Sequence, residues 1–139
     1  MVEVADHSLI LALNETRKTL LASRLMIANR SKRFSDARAG RILPGDGVWI
    51  EACKRVDTSG MRFSLDLLFL GSDNRVLAAV TDVAPGSACP EVEEAVGVLE
   101  LAAGTIQLSQ TEKGDHVVLE AIVPPPPSDE PIGARASRS

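Results

Sequence analysis

The sharpest hydrophobic pattern in the chain is Met61–Leu70 (MRFSLDLLFL), where Met61, Phe63, Leu65, Leu67 and Phe69 are all large and apolar. The positions between them begin Arg62, Ser64, Asp66 and then turn apolar at Leu68 and Leu70. Alternation of this kind predicts a β-strand, because successive side chains leave a strand on opposite faces. The apolar end of the second series predicts burial on both faces at that end only. Gly71-Ser-Asp-Asn is a turn signal, and Val76–Val83 predicts an antiparallel return that Pro85-Gly86 closes.

Other segments carry weaker patterns. Ser8–Leu13 is short and apolar and predicts a first strand, interrupted by Asn14. Asn14 is a good helix N-cap and Glu15 suits the positive end of a helix dipole, so a helix is expected over Thr16–Asn29. Leu20, Leu21, Leu25, Ile27 and Ala28 would form its apolar stripe, with Arg17, Lys18 and Arg24 facing water. Arg30–Arg41 is polar and basic and predicts a mobile connection or a short helical turn. After the turn Pro44-Gly45-Asp46-Gly47, Val48–Cys53 predicts a strand. Ala95–Leu101, a short piece near Ile106–Ser109, and His116–Val123 complete a count of roughly seven strands and one helix.

Length changes this picture little, since 139 residues suit one domain. The expected organisation is a flexible terminus over 1–7, one globular domain over 8–123, and a disordered Pro-rich spacer over 124–139 that starts with four consecutive prolines. Aromatic residues are scarce, three Phe and one Trp with no Tyr. The stacking platforms of single-stranded nucleic acid binding are therefore largely missing. The net charge of −4 is uneven: 14–41 holds eight basic and two acidic residues (+6), and 42–123 holds five basic and thirteen acidic (−8). The simplest account is attraction between the two segments, which argues against nucleic acid as the partner. No run approaches the ~20 apolar residues of a spanning helix and the start lacks a secretory pattern, so a cytoplasmic, non-membrane protein is expected, with a monomer as the default. Cys53 and Cys89 match no metal-ligand spacing and read as reduced thiols; a disulfide between them would need Cα atoms within ~7 Å.

The candidate chemistry concentrates around the central strand. Period-2 spacing would project Arg62, Ser64 and Asp66 from one face, letting Arg62 pair with Asp66. Paired, Asp66 is structural; unpaired in a cleft, it is a candidate acid or base. Asp57-Thr58-Ser59-Gly60 could line the same pocket, although a turn is the plainer reading. Glu100 is a second carboxylate near the core, for which an edge-strand position is the simplest account. Trp49 is a candidate anchor for a ligand or partner, or a packed core residue. His7 and His116 stand at no ligand spacing, and no phosphate loop, dinucleotide fingerprint or metal motif occurs, so neither cofactor nor metal is expected.

Several separated motifs resemble one family throughout Leu9–Val118: Gly45-Asp-Gly-Val-Trp-Ile-Glu-Ala-Cys, Val56–Leu70, Asn74-Arg-Val-Leu, Val98-Leu-Glu-Leu-Ala-Ala-Gly and Lys113-Gly-Asp. They are similar to the bacterial and archaeal domain of unknown function 192. The resemblance implies an α+β, mostly β domain with a strongly curved, barrel-like antiparallel or mixed sheet and one or two helices. The family's central motif usually reads His-Thr-Phe-Gly-Met-Arg-Phe-Pro-Ile-Asp. Here Thr58, Gly60, Met61, Arg62, Phe63 and Asp66 match, whereas Asp57, Ser59 and Ser64 replace the His, Phe and Pro. These departures fall where a site would be and argue against an enzyme. The functional expectation is a noncatalytic accessory module that binds a small molecule or a protein through Asp57, Thr58, Arg62, Asp66 and Trp49. The alternative is a small hydrolase-like enzyme using Asp66 and Asp57 as acid and base.

Overall fold

The alternation at the centre of the chain becomes the middle of a sheet. A computed structural model describes residues 9–28 and 42–122. The strands are β1 (Leu9–Asn14), β2 (Thr19–Ala22), β3 (Arg24–Ala28), β4 (Asp46–Glu51), β5 (Leu65–Leu70), β6 (Val76–Val83), β7 (Gly97–Ala102) and β8 (Val117–Ile122), with one short helix, α1 (Thr105–Ser109). They form two sheets, β2-β1-β8 and β3-β4-β7-β5-β6; only the β3–β4 pair is parallel.

Period 2 sorts the five-stranded sheet into two apolar layers. On one face Val48, Ile50, Leu65, Leu67, Phe69, Val98 and Ala102 pack with Cys53, Val56, Met61 and Ala95 from the loops. On the other, Trp49, Leu68, Leu70, Leu99 and Leu101 meet Ala12, Leu21, Ala22 and Val117 of the three-stranded sheet and Ile106 of α1. β5 and β7 lie between the two layers, and all six residues of each are buried. For β5 this extends the expectation of two-sided burial from its far end to its whole length.

The architecture is α+β and mostly β, as expected, but the two sheets do not close, so the barrel-like description is corrected to two packed sheets. The β5–β6 hairpin is present, with bulges where β6 carries one more residue than β5. The helix expected over Thr16–Asn29 is absent from the described part of that segment. Asn14 Oδ1 accepts the Arg17 amide at 3.0 Å, so the capping signal is real, but it caps a single turn. Lys18 then takes φ 58, which ends helical geometry and reverses the chain into β2. The apolar stripe is shared between two strands, and the chain passes from one sheet to the other at Ser23, whose amide donates to Gly45 O at 2.8 Å. The strand expected near Ile106–Ser109 is instead α1. The expected terminus over 1–7, the connection over 30–41 and the Pro-rich tail lie outside the described residues.

Candidate ligand cleft

Glu100 stands in the middle of the five-stranded sheet. Its strand, β7, is flanked by β4 and β5, and Glu100 lies opposite Val48 on one side and Leu67 on the other. The edge position expected from sequence is therefore wrong: β7 is the central strand. The side chain shares its face with Val98 and Ala102, enters the first apolar layer, and is 2% exposed. Its Oε1 has no hydrogen-bond partner among the described residues. Burial pushes the carboxyl up to about 7, because the charged form loses its water without gaining a donor.

Above that layer the chain opens into a cleft of about 470 Å³, lined by Arg55, Val56, Asp57, Thr58, Ser87, Ala88 and Cys89. Two loops build it. Thr58, itself buried, donates from Oγ1 to Ser87 O at 2.9 Å, and its own carbonyl accepts the Gly86 amide at 3.0 Å. Asp57 is exposed, and its Oδ1 caps the turn by accepting the Ser59 amide at 2.9 Å. Val56 belongs both to the cleft wall and to the apolar layer around Glu100, and Cys89 packs against the same layer. Burial pushes the Cys89 thiol up and the Glu100 carboxylate adds to this, opposed by a backbone hydrogen bond at Val56 and the charge of Arg55. Neither Cys53 nor Cys89 is in a disulfide; Cys53 is buried and donates to Arg55 O.

Asp66 lies on the opposite face. Its register partner is Leu101, which belongs to the second layer, whereas its neighbour Leu67 faces Glu100. Asp66 is fully buried, yet fully used: Oδ1 accepts the Asp82 amide at 2.9 Å, and Oδ2 accepts those of Gly104 at 3.1 Å and Ile106 at 2.8 Å. It thus fixes the β6 bulge, where Asp82 has φ 52, and the start of α1. The expected Arg62–Asp66 pair is not made; Arg62 is exposed and precedes β5. A second depression, lined by Asp66, Thr81, Asp82, Gly104 and Gln107, shares no residue with the first. The structure therefore brings Asp57 and Thr58 together and separates them from Asp66, which removes the geometry the hydrolase-like alternative requires. Trp49 is buried in the second layer, stacked so tightly over Gly97 that a Cβ there would collide with its ring.

Sequence reasoning missed a polar knot on the three-stranded sheet. Asn14 Nδ2 donates to Thr111 Oγ1 at 2.9 Å and to Asp115 Oδ2 at 3.0 Å, and Arg17 Nε donates to the same carboxylate at 3.1 Å. Burial alone would raise the Asp115 carboxyl, but Asn14, the Glu112 amide and Arg17 together hold it below its ordinary value. Every buried group there has a partner, so the knot is structural; the Lys113-Gly-Asp turn was its only trace in the sequence. Among the described residues no cluster of three or more His, Cys, Asp or Glu side chains could hold a metal, and no helix is long and apolar enough to cross a membrane.

The model of the family described as "Uncharacterized ACR", domain of unknown function 192, matches residues 38–119, and the chain belongs to that family. No curated protein matches the sequence. Two crystal structures share the fold. A proposed transcription regulator from Sinorhizobium meliloti 1021 superposes with a TM-score of 0.59 at 20% identity, over 86% of this chain and 97% of that one. A protein of unknown function from Novosphingobium aromaticivorans DSM 12444 gives 0.64 at 16% identity, over 84% and 91%.

Proposed function

We propose that this member of an uncharacterised family is a noncatalytic binding module whose ligand site is the cleft between Arg55–Thr58 and Ser87–Cys89. One observation carries the reading: polar side chains from two loops converge on a cleft, and the apolar layer behind it holds a carboxyl whose Oε1 has no partner among the described residues. The wall of the cleft is itself predominantly polar, and placed polar groups of this kind are what orient a ligand in a pocket. Among the described residues, folding accounts for the other buried carboxylates, Asp46, Asp66 and Asp115, through ion pairs or hydrogen bonds, and leaves Glu100 unaccounted for. Of the residues singled out in the sequence, Asp57 and Thr58 belong to this site, and Arg62, Asp66 and Trp49 fall outside it. Two cysteines outside any disulfide suit a reducing compartment, and action in the cytoplasm as a monomer is part of the same proposal.

Amide NMR of the purified protein against a library of small polar compounds tests the proposal. At least one compound should move the amides of residues 55–58 and 87–89 saturably while remaining chemically unchanged. A library that leaves those amides still, or a compound that is turned over, contradicts the reading.

A further inference from the structure

We propose that the outer face of the three-stranded sheet is a docking surface for one amphipathic helix of a partner protein, a helix whose apolar stripe is flanked by lysine or arginine. The surface lies on the other side of the molecule from the ligand cleft and stands independently of it.

An antiparallel sheet with one face on the core turns apolar side chains inward and polar ones outward. The inward series of this sheet obeys, since Ile10, Ala12, Val117 and Leu119 pack in the second layer. The outward series does not. It consists of Leu9, Leu11 and Leu13 on β1, with Leu20 opposite Leu13 on β2, and Val118 and Ile122 opposite Leu13 and Leu9 on β8. Leu9, Leu20 and Ile122 are 52%, 51% and 44% exposed, and the half-buried Leu11, Leu13 and Val118 belong to neither apolar layer. A contiguous aliphatic patch of this kind on a folded chain marks an interaction surface. Its shape suits a helix: three strands span about 10 Å and six residues about 17 Å, which one helix 10–12 Å wide covers in about three turns. Its charge sets the chemistry of the occupant. Glu120, exposed and opposite Leu11, is the one charged side chain in the outward series, and the nearby Lys18, at the turn into β2, is paired with Glu15 at 3.1 Å. A second copy would bring another Glu120 and no spare cation, setting an acid against leucine or against acid. A helix with lysine or arginine beside its apolar stripe covers the leucines and meets the carboxylate, and like-charge juxtaposition excludes an acidic one.

The probe is a peptide of leucine and lysine, about 14 residues long, with its leucines at i, i+3, i+4, i+7 spacing, titrated into the full-length protein and followed by the methyl resonances of Leu11, Leu13, Leu20 and Val118. One control has the same composition with the leucines scattered around the helix, and the other keeps the stripe but replaces lysine by glutamate. We expect the leucine-lysine peptide to move those methyls saturably and both controls to bind severalfold more weakly. Leu20→Ser and Glu120→Lys change exposed side chains, so both variants should keep the fold. The first should weaken the leucine-lysine peptide about fivefold through lost apolar contact, and the second should reverse the charge preference, so that the leucine-glutamate peptide binds more tightly. Methyls that stay still, or a charge preference that Glu120→Lys leaves unchanged, overturn the proposal. So does sedimentation in which the protein alone self-associates with the same methyls perturbed, which makes a second copy the occupant, and so do phosphatidylcholine vesicles that move the methyls more strongly than the peptide does. A peptide that moves the amides of residues 55–58 and 87–89 in place of these methyls belongs to the cleft and also overturns the docking surface.

Discussion

At the scale of single residues, two carboxylates in one sheet have opposite energetics. Asp66 and Glu100 each sit among leucines in the sequence, and nothing local distinguishes them. Their difference comes from chain segments far away: Asp82, Gly104 and Ile106 bring backbone donors to Asp66, and none of the described residues brings one to Glu100 Oε1. Asp66→Asn replaces an acceptor that takes three N–H groups by an amide that turns two hydrogens toward them. It should cost roughly 2–4 kcal/mol, read as a lowered urea midpoint. Glu100 acts through pH. Its carboxyl titrates near 7 in the folded protein and near 4.5 when exposed, so between those values the folded state binds more protons than the unfolded one. Stability from this group is therefore intact below pH 4.5 and falls as pH rises toward 7, by about 3 kcal/mol in all. Urea unfolding of wild type and Glu100→Gln at pH 5 and pH 8 should show the variant gaining on the wild type at the higher pH.

At the scale of elements, the strands around the central hairpin were legible because their period-2 pattern coincides with two-sided burial. The segment after Asn14 was not. Its leucines satisfy a helical stripe and two short strands equally well, and the deciding contacts are tertiary: Asn14 to Thr111 and Asp115, and Ser23 to Gly45. Lys18, with φ 58, marks the point where the two descriptions diverge. Lys18→Gly should raise stability by about 0.5–1 kcal/mol in this fold, because glycine relieves a left-handed backbone. In a helix the same change would lower stability by a similar amount, so thermal unfolding of the variant separates the two. The short helix α1 escaped detection because its five residues carry less than two turns of pattern and its start is held by Asp66 from another strand.

At the scale of the whole molecule, two packed sheets place β5 and β7 between two apolar layers, one shared between the sheets and the other roofed by loops. The loop-roofed layer is the one the cleft adjoins, and it is also where the sheet carries the acid whose Oε1 has no donor among the described residues. The sequence pointed to the loop, Asp57–Thr58, but not to the layer beneath it, since Glu100 enters that layer only through the strand order β4-β7-β5. The account depends on that carboxyl being desolvated and without a donor. Carbon-13 NMR titration of the Glu100 side-chain carboxyl in the free protein tests this directly: a midpoint of about 7 is predicted, and a midpoint at the ordinary value of 4.5 would contradict it.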